Sequence, residues 1–147
     1  MNDLRPVLIV EDSAQDVELT IEALKEHHLA NPIEVCRDGA EALDYFYRRG
    51  AWSTRPSSEP LVVLLDLKMP KVDGLELLRV VKSDGVLKRI PIVVLTSSRE
   101  EEDLVRSYEL GVNAYVVKPV SFPDFVRAVK EVGAFWAVVN EPPPVRG

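Results

Sequence analysis

The chain has a single cysteine, Cys36, among its 147 residues, so no internal disulfide framework can form and a reducing, cytosolic setting fits. Lys and Arg never run longer than two in a row and the net charge is −6, which argues against a protein whose main partner is nucleic acid. No apolar stretch approaches membrane-spanning length, and the opening MNDLRP lacks a signal-peptide pattern. Internal repeats are absent, and low complexity is confined to the proline-rich end, EPPPVRG (141–147). What is present is ordinary for a globular domain, with 46% hydrophobic and 29% charged residues. The expectation is one cytoplasmic domain over 1–140, followed by a mobile tail over 141–147, with neither nucleic acid nor membrane as partner.

Two kinds of segment alternate. Short β-branched runs occur at 6–11, 33–37, 61–66, 90–97 and 113–118, and near-continuous apolar runs of this length suit strands covered on both faces. Helical patterns lie between and after them. SAQDVELTIEALKEHH (13–28) carries the stripe Val17, Ile21, Leu24 and can be capped by Ser13. Asp38 heads a helix over 38–49, and further helices are expected over 74–84, over 99–111 (closed by Gly111) and over 121–140. Residues 49–60 form a long loop. Five strands alternating with five helices predict an α/β fold, a doubly wound parallel sheet. Ligands of such sheets bind beyond the carboxyl ends of the strands.

The residues at those ends form a pattern. The first strand ends in Glu11-Asp12, the third in Asp66, the fourth in Thr96-Ser97 and the fifth in Lys118-Pro119. Three carboxylates on one sheet edge repel one another unless a cation sits among them. An all-oxygen set suits Mg²⁺, and with no His or Cys at these ends zinc is disfavoured. A divalent cation, an ammonium and a hydroxyl around a carboxylate make a cradle for a phosphoryl group, and a carboxylate can be the nucleophile that accepts it. Asp66, closing the most apolar strand, is the best candidate.

VEDS (10–13), LLDLKMPKVDG (64–74), LTSS (95–98) and YVVKP (115–119) resemble, in this order and spacing, the receiver domain of two-component response regulators. The likeness covers residues 5 to 139. It implies a flavodoxin-like fold and a phosphoaspartate switch: a phosphoacceptor signalling protein, not an enzyme, beyond Mg²⁺-dependent self-phosphorylation and autodephosphorylation. By that resemblance Asp66 accepts the phosphoryl group from a sensor histidine kinase. Asp12 and Asp66 ligate Mg²⁺ with the backbone carbonyl of Lys68, and Glu11 helps through water. Thr96 and Lys118 bind the phosphoryl oxygens, Tyr115 follows Thr96 inward, and the Lys118–Pro119 peptide is cis. Two features depart from the commonest pattern: Glu-Asp in place of Asp-Asp at 11–12, and Lys68, at a position that tunes phosphoryl lifetime in the family. A finer likeness, carried by 11–27, the long loop and Phe135-Trp136, is to small stand-alone regulators paired with bacterial phytochromes.

With the chain closing soon after its last helix, output is expected through protein contacts. The alternatives are an unphosphorylated receiver-like scaffold or an intermediate phosphorelay carrier. A phosphohydrolase with an aspartate nucleophile needs a second acid where Lys68 stands, and a flavin or nucleotide binder needs a glycine-rich loop where VEDSAQD stands. The long stripe of the last helix predicts a homodimer through the fourth helix, fifth strand and fifth helix, with Val105, Tyr108, Phe125, Val132 and Trp136 at the interface. Cys36 reads as an apolar filler. Trp52 either packs onto the domain or anchors a partner, and Gly74 permits a backbone angle or a close approach.

Overall fold

The structure, a computed structural model, describes residues 4–26, 28–56, 58–69, 72–97, 107, 109–112 and 114–134. Its strands are β1 (Val7–Val10), β2 (Ile33–Cys36), β3 (Val62–Asp66), β4 (Ile92–Thr96) and β5 (Ala114–Val117). Among the described residues the helices are α1 (Ala14–Lys25), α2 (Gly39–Tyr47), α3 (Gly74–Ser83) and α4 (Phe122–Glu131). The helix expected over 99–111 falls mostly outside the described residues. Its end is visible, where Gly111 takes φ +91° and the Val112 N–H reaches the Ser107 carbonyl at 3.1 Å.

All strand pairs are parallel and the order is β2-β1-β3-β4-β5, that of a flavodoxin-like doubly wound sheet. Every residue of β1, β3 and β4 is buried, so successive side chains feed two cores. Leu8, Val10, Val63, Leu65, Ile92 and Val94 pack beneath α2 and α3. Val7, Ile9, Val62, Leu64, Val93 and Leu95 pack beneath α1 and α4. Each such side chain contributes about 1.5–3 kcal/mol by leaving water. Edge strand β2 is only half-buried at Ile33, Glu34 and Val35.

Each of these four helices begins on a short polar side chain that accepts the backbone N–H three residues on, which satisfies one donor the first turn leaves open. Ser13 caps α1 at 3.2 Å, Asp38 caps α2 at 2.7 Å, Asp73 caps α3 at 2.8 Å and Ser121 caps α4 at 3.2 Å. In each case the donor is an acid, Asp16, Glu41, Glu76 or Asp124, placed where the helix dipole favours it.

The end of α4 corrects the expectation of a helix over 121–140. The helix stops at Glu131. Gly133 takes φ +75°, its N–H bonds the Lys130 carbonyl at 3.0 Å, and the Ala134 N–H bonds the Val129 carbonyl at 3.0 Å. That pair of bonds is a Schellman closure, which needs a left-handed residue at its turn. Residues 135–147, with the expected tail, lie outside the described part.

The long loop is pinned rather than loose. Trp52 lies edge-on to Tyr45 (4.9 Å between ring centres) and donates its indole N–H to Glu41 at 3.0 Å. Arg55 stacks over the Tyr45 ring at 4.2 Å and donates to the Tyr45 carbonyl at 2.6 Å. Trp52 packs onto the domain.

Candidate functional site

Sheet register builds the site. Val10 pairs with Leu65, so Glu11 leaves β1 beside Asp66 at the end of β3. Asp66 pairs with Leu95 and Thr96 with Val117, which puts Thr96 and Lys118 one step further along the same edge. The Lys118 backbone N–H closes this corner on the Thr96 carbonyl at 2.7 Å, and the Lys118–Pro119 peptide is cis. The loop after β3 is drawn tight by Gly74, whose N–H donates to the Leu67 carbonyl at 3.1 Å. A Cβ on Gly74 would overlap Leu67 Cα and the Asp66 carbonyl, so the glycine is there for close approach.

Glu11, Asp12 and Asp66 bring carboxylate oxygens within 4.8 Å of one another, with Glu11 and Asp66 buried and Asp12 exposed. Lys118 Nζ sits among acids, 2.8 Å from Glu11 Oε1, 3.0 Å from Asp16 Oδ2 and 3.3 Å from Asp66 Oδ2. Burial, a hydrogen bond to the Asp66 carboxylate and the Asp66 charge push the Glu11 carboxyl up to about 8, against the opposing pull of Lys118. Burial alone would depress the Lys118 ammonium, but its bonds to Glu11 and Asp16 and the charge of Asp66 carry it above the usual lysine range. Glu11 is raised by its burial first and by its crowding against Asp66 second. An all-oxygen set with surplus negative charge fits a hard divalent cation, and Glu11, Asp12 and Asp66 are the side chains that would hold it.

The remaining expected residues separate into three groups. Thr96 is buried at the edge, and the Lys68 N–H donates to Asp66 Oδ1 at 3.0 Å, so both stand at the site. Tyr115 lies half-buried on β5, where Arg127 donates to its carbonyl at 3.1 Å and holds a guanidinium 6.0 Å over its ring. The interface set needs correction. Phe125 is wholly buried in the α1/α4 core, because its side of the stripe faces the sheet, and so it cannot meet a partner. Val132 is half-buried against the same core. Val105, Tyr108 and Trp136 lie outside the described residues. Cys36 is fully buried, and burial followed by the charges of Glu41, Glu34 and Asp38 pushes its thiol up.

Sequence reasoning did not single out Asp16, an acid in the first turn of α1. Three residues separate β1 from α1, which brings the helix's first turn near the sheet edge, but that spacing does not fix which first-turn side chain faces the site.

Residues 7–130 match the family model described as the response regulator receiver domain. Response regulator Rcp1 of Synechocystis sp. is 39% identical over 135 residues, which span 92% of this chain and 90% of Rcp1. Among solved structures, the bacteriophytochrome response regulator AtBRR aligns with a TM-score of 0.88 and 59% identity, over 95% of this chain and 100% of that one. The Mn(2+)-bound form of Rcp1 aligns with a TM-score of 0.72 and 38% identity, over 94% and 99%.

Proposed function

The chain belongs to the response regulator receiver domain family, and from that premise we propose that Asp66 is its phosphoacceptor, charged by a sensor histidine kinase of the phytochrome type. One observation carries the assignment. Asp66 ends the central strand β3 with its Oδ2 3.3 Å from Lys118 Nζ, in a cluster of acids with surplus negative charge. In the transfer, an Asp66 carboxylate oxygen bonds to phosphorus as the bond from phosphorus to the donor breaks, and the donor leaves with that electron pair. Lys118 neutralises charge on the phosphoryl oxygens, and the Thr96 hydroxyl donates to one of them. Glu11, Asp12, Asp66 and the Lys68 carbonyl would hold Mg²⁺, which when bound supplies further neutralising charge. The Mn(2+) in the Rcp1 structure supports a divalent site. The Lys68 side chain, exposed beside Asp66, would set the phosphoryl lifetime.

The kinase assignment rests on the likeness to AtBRR, and the single, buried cysteine suits an encounter in the cytoplasm. The domain over 1–140 would signal through its surface near Tyr115, whose ring follows Thr96 when the acyl phosphate forms. It would also form a homodimer through β5 and its flanking helices. A monomer in sedimentation at tens of micromolar, with and without a phosphoryl mimic, would rule the dimer out.

The decisive experiment is intact-mass spectrometry after incubation with Mg²⁺ and acetyl phosphate, beside Asp66→Asn. The expected result is a hydroxylamine-labile gain of one phosphoryl group in the wild type and none in the variant. An adduct that persists in Asp66→Asn would place the phosphoacceptor elsewhere, and no adduct in either would favour an unphosphorylated scaffold.

A further inference from the structure

One of the carboxylates that hold Lys118 comes from outside the acid cluster. Its three ammonium hydrogens have three acceptors, Glu11 Oε1, Asp16 Oδ2 and Asp66 Oδ2, at 2.8, 3.0 and 3.3 Å. Glu11 and Asp66 belong to the trio of crowded acids, and Asp16 does not. Asp16 comes instead from α1, 102 residues away from Lys118 in sequence. Its backbone is fixed on both sides. The N–H donates to Ser13 Oγ at 3.2 Å, and the carbonyl accepts from Thr20 Oγ1, a buried hydroxyl, at 2.8 Å.

The difference between the three acceptors matters during phosphoryl transfer. Asp66 turns an oxygen to phosphorus, and Glu11 lies among the oxygens that would face a divalent cation. Both are drawn away from Lys118 when the site is in use. Lysine is a point charge on a flexible four-carbon stem, so an ammonium released by both would be free to swing toward water. We infer that Asp16 is a positioning residue, whose carboxylate keeps Lys118 Nζ at the carboxyl edge of the sheet, in reach of the phosphoryl oxygens, throughout the transfer. Its side chain is 37% exposed, against 1% for Glu11, so it stands on the solvent side of the ammonium and blocks that exit. Asp16 has this part only where Asp66 accepts the phosphoryl group, as proposed above.

The test compares wild type, Asp16→Ala and Asp16→Asn in three measurements: phosphorylation by acetyl phosphate at saturating Mg²⁺, thermal melting, and acetylation of Lys118 by an amine-reactive ester, read by peptide mass. Acetyl phosphate brings no kinase surface, so docking cannot enter the result. Asp16→Ala should slow phosphorylation about tenfold, in the range that misplacing a reacting partner produces. Lys118 should be acetylated several-fold faster in the same variant, since its ammonium is released to water. Asp16→Asn keeps an oxygen acceptor of the same reach and should recover most of the rate. If Asp16→Ala loses helix stability, Asp16→Asn still separates the readings. A slow Asp16→Asn with Lys118 acetylated as in the wild type would overturn the role, because Lys118 would then be held without Asp16. A phosphorylated wild type beside an equally fast Asp16→Ala overturns the part played by Asp16 alone. A wild type that takes no phosphoryl group overturns the role of Asp66 itself.

Discussion

At Gly74 the backbone passes so near the end of β3 that a single methyl group would collide with main-chain atoms of Leu67 and Asp66. Main chain cannot turn aside as a side chain can, so Gly74→Ala should cost about 1–3 kcal/mol in denaturant unfolding, as overpacking does. The same displacement should slow phosphorylation of Asp66 by acetyl phosphate. Gly85→Ala, where an added Cβ meets nothing within 4 Å, is the control. A Gly74→Ala protein with unchanged midpoint and rate would show that the loop yields freely. Cys36 offers a pH test. Its folded thiol is raised above the ordinary 9.0 by burial, so above that pH the unfolded chain ionises while the folded one does not. Stability should fall as pH climbs past 9.0 through the folded value, and less so in Cys36→Ala. Iodoacetamide labelling at pH 8 should follow global unfolding only. Residues at this scale were legible unevenly. Glu11, Asp12, Asp66, Thr96 and Lys118 could be placed because parallel strands gather their carboxyl ends on one edge. Asp16 could not, because nothing in its own segment fixes how α1 is rotated over that edge. Phe125 misled because an amphipathic stripe does not say which of its members the sheet covers.

Helix beginnings were easier to read than helix ends. A Ser or Asp followed three residues later by an acid marks the start of all four described helices, and the side-chain bonds are made as that pattern requires. The end of α4 was misread because apolar residues recur beyond it, at Trp136 and Val139, and periodicity outweighed one glycine. Gly133 ends the helix by its left-handed φ, which an L-residue adopts at a cost of about 1–2 kcal/mol. Gly133→Ala should therefore lower the unfolding free energy by roughly that amount. A circular-dichroism denaturation curve overlying that of the wild type would show that the turn is not needed to end α4. The loop between α2 and β3 shows a different limit. Its length was plain, but the stacking of Arg55 and Trp52 on Tyr45 depends on partners from two elements, which no local pattern announces.

Taken as a whole, the molecule places its acid crowding at one end of a sheet whose interior is almost wholly apolar. Metal binding at that end should therefore report on global stability. At free Mg²⁺ ten times its dissociation constant, binding to the folded state alone adds about 1.4 kcal/mol. Calorimetric melting should rise with Mg²⁺ in the wild type and far less in Asp12→Asn. An equal rise in both would mean that the cation acts elsewhere. The parallel, doubly wound architecture was readable at this scale because strands alternate with helices, whereas the strand order and register come from the structure. The contact between Lys118 and Glu11 carries a consequence in time as well as in space. The two lie 107 residues apart, and the lysine follows β5, the last of the described strands. As the chain leaves the ribosome, the acids of the first and third strands emerge long before the cation that balances them. A fragment broken off before Lys118 would carry Glu11, Asp12 and Asp66 without the ammonium that offsets them.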